Sequence, residues 1–481
     1  MTDKTVSAWR NPRPIVERIE VRGDLVLLAP AHFGTGDPDP LSNVDMVLLR
    51  DPLTGQALLP GASIAGALRN YMREVELGFN AKPRMKEERN SWAVTLLGGS
   101  PQDDEGTQSL LLIDDALADI SAVELRDGVK IEISTGTAAE GAKFDIELLP
   151  AGTVFGLYFE LLIPAGRSDE LRRLLGLALH GLEEGEIVLG ARKRRGFGRC
   201  RVASWTVDRY KLTEPEGLIA WLQRAPSPQR EQDSSVEALQ VNLDELQDAR
   251  HDFQIEATFQ LDGSVLVRSG FGEADTGPDT VHLHSAQADG RTMPVLPGSS
   301  LAGVLRHRAL RIANTLRPGR GSAVINRMFG SDEKGILTTS RLTVQESIVI
   351  GGDSLVQTRV KIDRFTGGAY ETALFEEQPL FGRDRTAITL ELALRNPEPF
   401  EIGLLLLLLK DLWTGDLPVG GESSVGRGRL AGQSANLVLQ QNGKKTTWSI
   451  RKKGNSLEID RASQLEDYVL AFREQPWEAA K

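Results

Sequence analysis

The sequence predicts an α+β protein assembled from two copies of one domain, and three observations carry that expectation. Residues 59–69, Leu-Pro-Gly-Ala-Ser-Ile-Ala-Gly-Ala-Leu-Arg, return at 296–306 as Leu-Pro-Gly-Ser-Ser-Leu-Ala-Gly-Val-Leu-Arg, with eight of eleven positions identical. A second block, Val129-Lys130-Ile131-Glu132 with Thr135-Gly136, Ala138, Glu140, Ala142 and Phe144, returns without a gap as Val360-Lys361-Ile362-Asp363 with Thr366-Gly367, Ala369, Glu371, Ala373 and Phe375. The third is a glycine loop, Gly190 through Gly196-Phe197-Gly198-Arg199, repeated as Gly420 through Gly426-Arg427-Gly428-Arg429. The spacings are 237, 231 and 230 residues, and a fainter pair, Phe33-Gly34 against Phe271-Gly272, falls in line with them. Chance does not keep such blocks in one order at nearly one offset, so the chain reads as a duplication.

Each copy shows the same element order. Residues 19–28 alternate well enough for a strand, as do 253–267 around a turn at Asp262-Gly263. A loop follows, and then a helix opens at Pro60-Gly61 with an apolar stripe at Ile64, Leu68, Tyr71, Met72 and Val75; its partner uses Leu301, Leu305, Ile312 and Leu316. The second repeated block reads as a protruding hairpin, strand-like on both sides of Thr135-Gly136 and of Thr366-Gly367. Strands at 154–163 and 387–394 come next, followed by leucine-rich helical stretches. A sheet with helices on one face, an α+β sandwich of ferredoxin-like type, accommodates this order. The expected organisation is a first domain at 1–210, a linker carrying a short helix or two at 211–251, a second domain at 252–432, and a C-terminal extension at 433–481. That extension reads as a small hairpin and a last helix announced by the capping-box pattern Ser463-Gln464-Leu465-Glu466.

Composition narrows the function. Acidic residues outnumber basic ones, 67 to 56, giving a formal charge of −11, which argues against a protein that coats polyanions by net charge alone. The single cysteine, Cys200, excludes an intramolecular disulfide and a cysteine zinc site, as expected of a cytoplasmic protein. The longest apolar run, 404–409, is far short of the roughly 18 residues a membrane helix needs, so no membrane role is expected.

Local charge is sharper than net charge. Residues 291–331 hold seven arginines, at 291, 306, 308, 311, 317, 320 and 327, and no acidic residue. Arg192, Lys193, Arg194, Arg195, Arg199 and Arg201 cluster around Gly196 and Gly198, where missing side chains let a ligand backbone approach. Gly61 with Ser63, and Gly298 with Ser300, stand at helix starts where free N–H groups can receive a phosphate. No Gly-Lys-Ser or Gly-Lys-Thr follows these glycines, so ATP hydrolysis is unsupported. Aromatics make up only 6% of the chain, so backbone contacts rather than base stacking are expected to dominate an RNA complex. For chemistry, the loop after the first strand offers Asp37, Asp39 and Asp45, and its counterpart offers Asp275, Asp279 and Asp289. Asp45 and Asp279 each precede an apolar stretch, and an aspartate beside a scissile phosphate holds a divalent cation or helps deprotonate an attacking hydroxyl. His282 and His284 lie two apart on one face of a strand and could bind metal, but with no third ligand at a known spacing the pair reads first as exposed strand histidines.

Taken together, His32-Phe33-Gly34-Thr35-Gly36, the Pro-Gly helix start, Thr135-Gly136-Thr137-Ala138 and Gly196-Phe197-Gly198-Arg199 resemble the RAMP superfamily of CRISPR-associated proteins. In particular they resemble the repeated backbone subunit of type III interference complexes. The second set, including Ile362-Asp363-Arg364 and Val425-Gly426-Arg427-Gly428, repeats the match, so the chain resembles two such subunits fused, as in subtype D systems. The resemblance implies a modified RNA-recognition fold whose copies line a filament and bind CRISPR RNA along its backbone. It also implies that the hairpins at 129–147 and 360–378 act as thumbs pushed through the guide–target duplex. It implies an endoribonuclease in which one aspartate per copy supports metal-dependent cleavage of complementary target RNA, with Mg2+ the expected ion. The matching positions are Asp45 and, in the second copy, Asp279 rather than Asp275. There the pattern departs from the first copy: Gly270 stands where His32 does, Ala274 where Gly36 does, and the loop is shorter.

The residues expected to contact RNA are His32, Gly61, Ser63, Arg69, Thr135, Arg192, Arg194 and Arg195 in the first copy, and Gly298, Ser300, Arg306, Thr366 and Arg427 in the second. Other type III CRISPR-associated subunits are the expected protein partners. Two alternatives stay open: a non-catalytic guide-binding scaffold, and a CRISPR RNA-processing endoribonuclease.

Overall fold

The computed structural model describes residues 14–34, 44–79, 91–99, 107–132, 135, 137–269, 277–331, 338–454 and 456–475. In the first half the strand Ile15–Leu27 lies at the centre of a sheet, antiparallel to Val154–Pro164 on one side and to Cys200–Lys211 on the other, with Leu111–Ile113 beyond the former. In the second half His251–Asp262 lies between Ala387–Arg395 and Arg429–Gln441, with Leu342–Val344 outside. Numbered by chain order, the four core strands of each half run 4-1-3-2, and helices follow the first and third: Gly61–Leu77 and Ser168–Glu183, then Gly298–Leu316 and Pro399–Trp413. This is the ferredoxin-like α+β arrangement twice over.

Alternation explains why these segments are strands. Ile19, Val21, Leu25 and Leu27 point into the first core while Arg18, Glu20 and Arg22 point to the other face. The same core takes Ile64, Leu68 and Met72 from the first helix and Leu171, Leu175 and Leu179 from the second, so both helices lie on the apolar face. Fully buried aromatics such as Phe159 and Phe259 each contribute roughly 1.5–3 kcal/mol. Each sheet adds an edge contact to a tryptophan, Phe159 to Trp205 at 5.9 Å and Phe259 to Trp413 at 6.2 Å between ring centroids.

Two hairpins leave the sheets. Glu124–Ile131 pairs with Ala138–Leu148, and Gln357–Ile362 pairs with Ala369–Gln378. Their registers coincide: Gly128 faces Phe144 as Arg359 faces Phe375, and Ile131 faces Ala138 as Ile362 faces Ala369.

Residues 211–251 are more integrated than a linker. They hold helices at Pro215–Leu222 and Ser235–Leu239 and a strand, Gln229–Asp233, that extends the first sheet beyond Cys200–Lys211. Ala238 and Leu239 belong to the first core. The C-terminal extension does the same for the second sheet through Lys444–Lys453 and Ser456–Ile459, and its last helix, Ala462–Glu474, buries Leu465 and Phe472 in the second core. That helix is not opened by the expected Ser463 capping box: its N-cap is Arg461, in the left-handed region at φ 49° with no side-chain cap. A capping box does form at Glu398 and Glu401 of the Pro399–Trp413 helix.

The two halves meet through the first glycine loop. Arg194 donates to Thr343 Oγ1 at 3.2 Å and Arg195 to the Leu342 carbonyl at 3.4 Å. A Cβ on Gly298 would strike the carbonyl oxygens of Val344 and Arg195, and one on Gly196 would strike the Glu346 N–H nitrogen. Beside this contact Arg126, at the root of the first hairpin, is buried in ion pairs with Glu124 at 2.6 Å and with Glu346 of the other half.

Candidate active site and nucleic-acid interface

Asp45 and Asp279 stand at equivalent places. The Asp145 N–H donates to Asp45 Oδ2 at 2.9 Å, and the Glu376 N–H donates to Asp279 Oδ2 at 2.8 Å; Asp145 and Glu376 lie 231 residues apart, the spacing of the repeated hairpins. The residue after each aspartate then runs parallel to the hairpin strand, Met46 beside Ile146 and Thr280 beside Glu377. Each carboxylate is thus exposed at a hairpin root with one oxygen committed to the backbone and Oδ1 without a partner among the described residues. Asp37, Asp39 and Asp275 lie outside the described residues, and Asp289 is spent on Arg291.

The surroundings differ between the two sites. At the first, the neighbouring Asp127 carboxyl chiefly holds Asp145 above the usual carboxylate range, with Asp45 adding to the effect. The corresponding pair at the second site is neutral on one side, Thr358 donating to Glu376 at 3.1 Å. Arg192, left-handed at φ 55°, lies over the Phe144 ring at 4.2 Å, with a guanidinium nitrogen 3.9 Å from Met46 Sδ. It has no carboxylate partner among the described residues, and burial lowers its pKa. Its counterpart is Glu422, equally left-handed at φ 59°, which is paired with Arg268 at 3.0 Å and Arg427 at 3.0 Å. The loop backbones agree while the charge at the second site is reversed and internally neutralised.

The remaining expected RNA contacts divide. Thr135 and Thr366 are exposed at the hairpin tips, each hydroxyl accepting the N–H two residues on at 3.3 Å. Ser63 is exposed and Ser300 half-buried at their helix starts. The Gly61 N–H already donates to Asp115 Oδ1 at 2.7 Å, and Gly61 and Gly298 are glycine because strand carbonyls press against them.

Arg69 donates to the Gly98 and Leu97 carbonyls at 2.9 and 2.8 Å, closing the end of the helix Trp92–Leu97. Arg306 binds the Gly330 carbonyl at 2.7 Å and Asn326 at 2.8 Å, doing the same for Gly321–Phe329. Arg194 and Arg195 face the domain junction, where burial lowers both and brings Arg194 to about 10 with Arg395 nearby. Arg427 is buried between Glu377 and Glu422, each at 3.0 Å. These five arginines therefore hold the fold together. His32 is 4% exposed, its Nδ1 2.8 Å from the Glu147 carbonyl and its ring against Gly34.

Of the histidine pair His284 is exposed as expected, but His282 is buried. His282 Nδ1 accepts the Val267 N–H at 3.1 Å, and burial with His284 alongside lowers its pKa to about 4. Among the described residues no group of three or more His, Cys, Asp or Glu side chains is arranged to hold a metal ion. Nor is any described helix long and apolar enough to cross a membrane.

A family model, the RAMP superfamily, matches residues 24–201 and again 258–431. The chain belongs to the RAMP superfamily. It is a CRISPR-associated RAMP protein with tandem domains, from a family that binds CRISPR RNA and other CRISPR-associated subunits. No curated protein matches the chain. Within the RAMP domains, sequence reasoning missed the Asp127–Asp145 pair and Arg126. Aligning the hairpins at their common spacing does expose the first, because Asp127 then stands against Thr358.

Proposed function

We propose that this RAMP protein is a tandem backbone subunit of a type III CRISPR effector complex, holding CRISPR RNA and cleaving complementary target RNA at Asp45 and Asp279. The observation that carries this reading is the repeated geometry in which each aspartate is clamped by one oxygen to the root of a protruding hairpin, at 2.9 and 2.8 Å. A clamped carboxylate cannot swing away with its loop. Its remaining oxygen takes the proton of a ribose 2′-hydroxyl as the 2′-oxygen bonds to the neighbouring phosphorus; the 5′-oxygen leaves and is protonated by solvent.

With one free oxygen on each clamped aspartate and no group of three or more ligating side chains arranged around an ion among the described residues, the sites fit Mg2+ only in its usual phosphate-bound mode, in which the ion keeps several waters and takes its other ligands from the substrate. When bound there, the ion neutralises charge building on the phosphate. Arg192 supports guide or target phosphates at the first site as a positive charge with no carboxylate partner among the described residues.

The test replaces each aspartate by asparagine, which keeps an amide oxygen for the hairpin N–H and removes the carboxylate. In the assembled complex, Asp45→Asn with Asp279→Asn is expected to lower target cleavage by about 10²-fold or more while guide RNA stays bound. Chelation of divalent ions should have the same effect. Undiminished cleavage in the double variant would refute the assignment and leave the non-catalytic scaffold.

A further inference from the structure

The sequence contains two runs of three or more consecutive basic residues, Arg-Lys-Arg-Arg at 192–195 and Arg-Lys-Lys at 451–453. The first is drawn into the domain joint, where Arg194 and Arg195 donate to Thr343 and Leu342. The second lies in the C-terminal extension, beyond the residues matched by the family model, and all three of its residues are exposed. Arg451 and Lys452 have no ion-pair partner among the described residues. Lys453 approaches Glu458 only at 4.0 Å, with side chains 78% and 68% exposed, so water and salt screen that pair. In a chain of formal charge −11, this is a local excess of positive charge that the fold does not consume.

Strand order places the run. The strand Lys444–Lys453 is antiparallel to Arg429–Gln441, with Arg451 opposite Ser434 and Lys444 opposite Gln441. Lys452 and Lys453 therefore carry the strand toward the end of the sheet at which Arg429 pairs with Asp262. At about 3.3 Å per residue, Lys453 stops roughly 10 Å short of the level of Arg429. The second site stands at that end: Arg427 is bonded to Glu377, and the neighbouring Glu376 N–H holds Asp279. Trp448 and Ile450 point into the second core, so alternation turns Arg451 and Lys453 to the open face of the sheet. Lys444 and Lys445 are exposed too, but they lie at the opposite end of the strand. Protection of a sheet edge does not account for the run, because an edge is guarded on the edge strand itself. Here that strand is Ser456–Ile459, which reads Ser-Leu-Glu-Ile.

We propose that the C-terminal extension is a further RNA-binding site, in which Arg451, Lys452 and Lys453 hold the phosphates of a single strand that runs on from the second aspartate site. This rests on the RNA-binding reading above and moves part of the affinity onto a segment outside both RAMP domains. Lysine and arginine on an exposed strand offer charge to phosphates, a contact that carries no sequence preference. An acidic protein surface is the competing ligand, and the position of the run at the Asp279 end of the sheet favours RNA over it.

The experiment measures retention of a synthetic single-stranded RNA by the full chain in filter binding between about 50 and 200 mM salt. Each phosphate contact contributes about 0.7 to the logarithmic salt slope for a single strand. Arg451→Gln with Lys452→Gln and Lys453→Gln should therefore lower the slope by about 2, so that the affinity lost across this fourfold rise in salt shrinks roughly 20-fold. Lys444→Gln with Lys445→Gln, which removes two cations from the far end, should leave the slope within about 0.5 of the wild type. Arg451→Lys, which keeps the charge, should not change it. An undiminished slope in the triple variant overturns this inference alone, and so does an equal loss per cation at both ends, which would make the effect one of net charge. Failure of the wild type to retain RNA overturns the functional reading and this inference with it. If the triple variant binds RNA as the wild type does but no longer joins the assembled complex, the run contacts protein and the inference also falls.

Discussion

Replacing Arg126 by methionine should loosen the joint between the two domains, and the structure sets the size of the effect. The guanidinium is 5% exposed and sits between Glu124, at 2.6 Å, and Glu346 of the second domain, whose side chains are 15% and 8% exposed. It also lies over Phe197 at 5.4 Å. Methionine keeps the packing volume but leaves two nearly dry carboxylates facing one another. Breaking a buried pair in this way costs about 3–5 kcal/mol, because the orphaned charge stays buried. The exposed cross-domain pair Arg199–Glu391, at 38% and 48%, is the control and should contribute less than about 1 kcal/mol.

The reading-out assay is amide hydrogen exchange at the joint, on residues 193–199 and 342–346. In Arg126→Met, opening there should rise by about two to three and a half orders of magnitude, while Arg199→Met shifts it by less than about one. Burial already raises the Glu124 carboxyl, so the defect should shrink at acid pH, where protonation removes the repulsion. Adding Glu346→Leu and Glu124→Gln should recover most of the loss. If the triple variant is as damaged as the single one, or the single one is unchanged, the joint is held by shape and not by this charge network.

Three other outcomes follow from the same geometry. His282 is 1% exposed and its pKa is lowered to about 4, so the folded state resists a proton that the unfolded chain accepts near pH 6.5. Stability should fall as pH drops through that window, by about 2 kcal/mol at pH 5, and His282→Phe should flatten the slope in urea titrations. Gly66 and Gly303 have open space where a Cβ would go and lie inside helices, so Gly66→Ala and Gly303→Ala should each raise stability by about 0.5–1 kcal/mol in thermal melts. Arg69→Ala and Arg306→Ala should lower stability by about 1–3 kcal/mol without altering the salt dependence of RNA binding, whereas Arg192→Ala should reduce that slope by about one charge.

What was legible in the sequence depended on how each signal is written. The duplication, the 231-residue spacing of the hairpins and the alternation of Ile19, Val21, Leu25 and Leu27 are patterns along the chain, and a pattern along the chain is what a strand or repeat requires. The pairing of Asp279 with Asp45 was legible from position too, and the hairpin N–H bonds give it a physical basis. The arginines were not legible in this way. A basic run in sequence does not say which side of a domain junction its side chains occupy, and Arg194 and Arg195 turn inward because the glycines around them let the loop press against Val344 and Glu346. Arg427 is buried by carboxylates from two other segments, Glu377 and Glu422, that only the fold brings near. Phe365, 98% exposed at the tip of the second hairpin, was hidden by averaging, since a low aromatic content says nothing of one ring placed wholly in water.

The divergences that escaped sequence reading share a cause. Joining the two copies covalently, across a joint that buries Arg126, frees each from having to work in the other's place. Arg192 of the first site, without a carboxylate partner among the described residues, can then become the neutralised Glu422 network of the second, and a serine at one tip can become Phe365 at the other, without a change in hairpin register. A row of identical subunits could not hold two such tips in a fixed order. In a fused chain that order is written in the polypeptide.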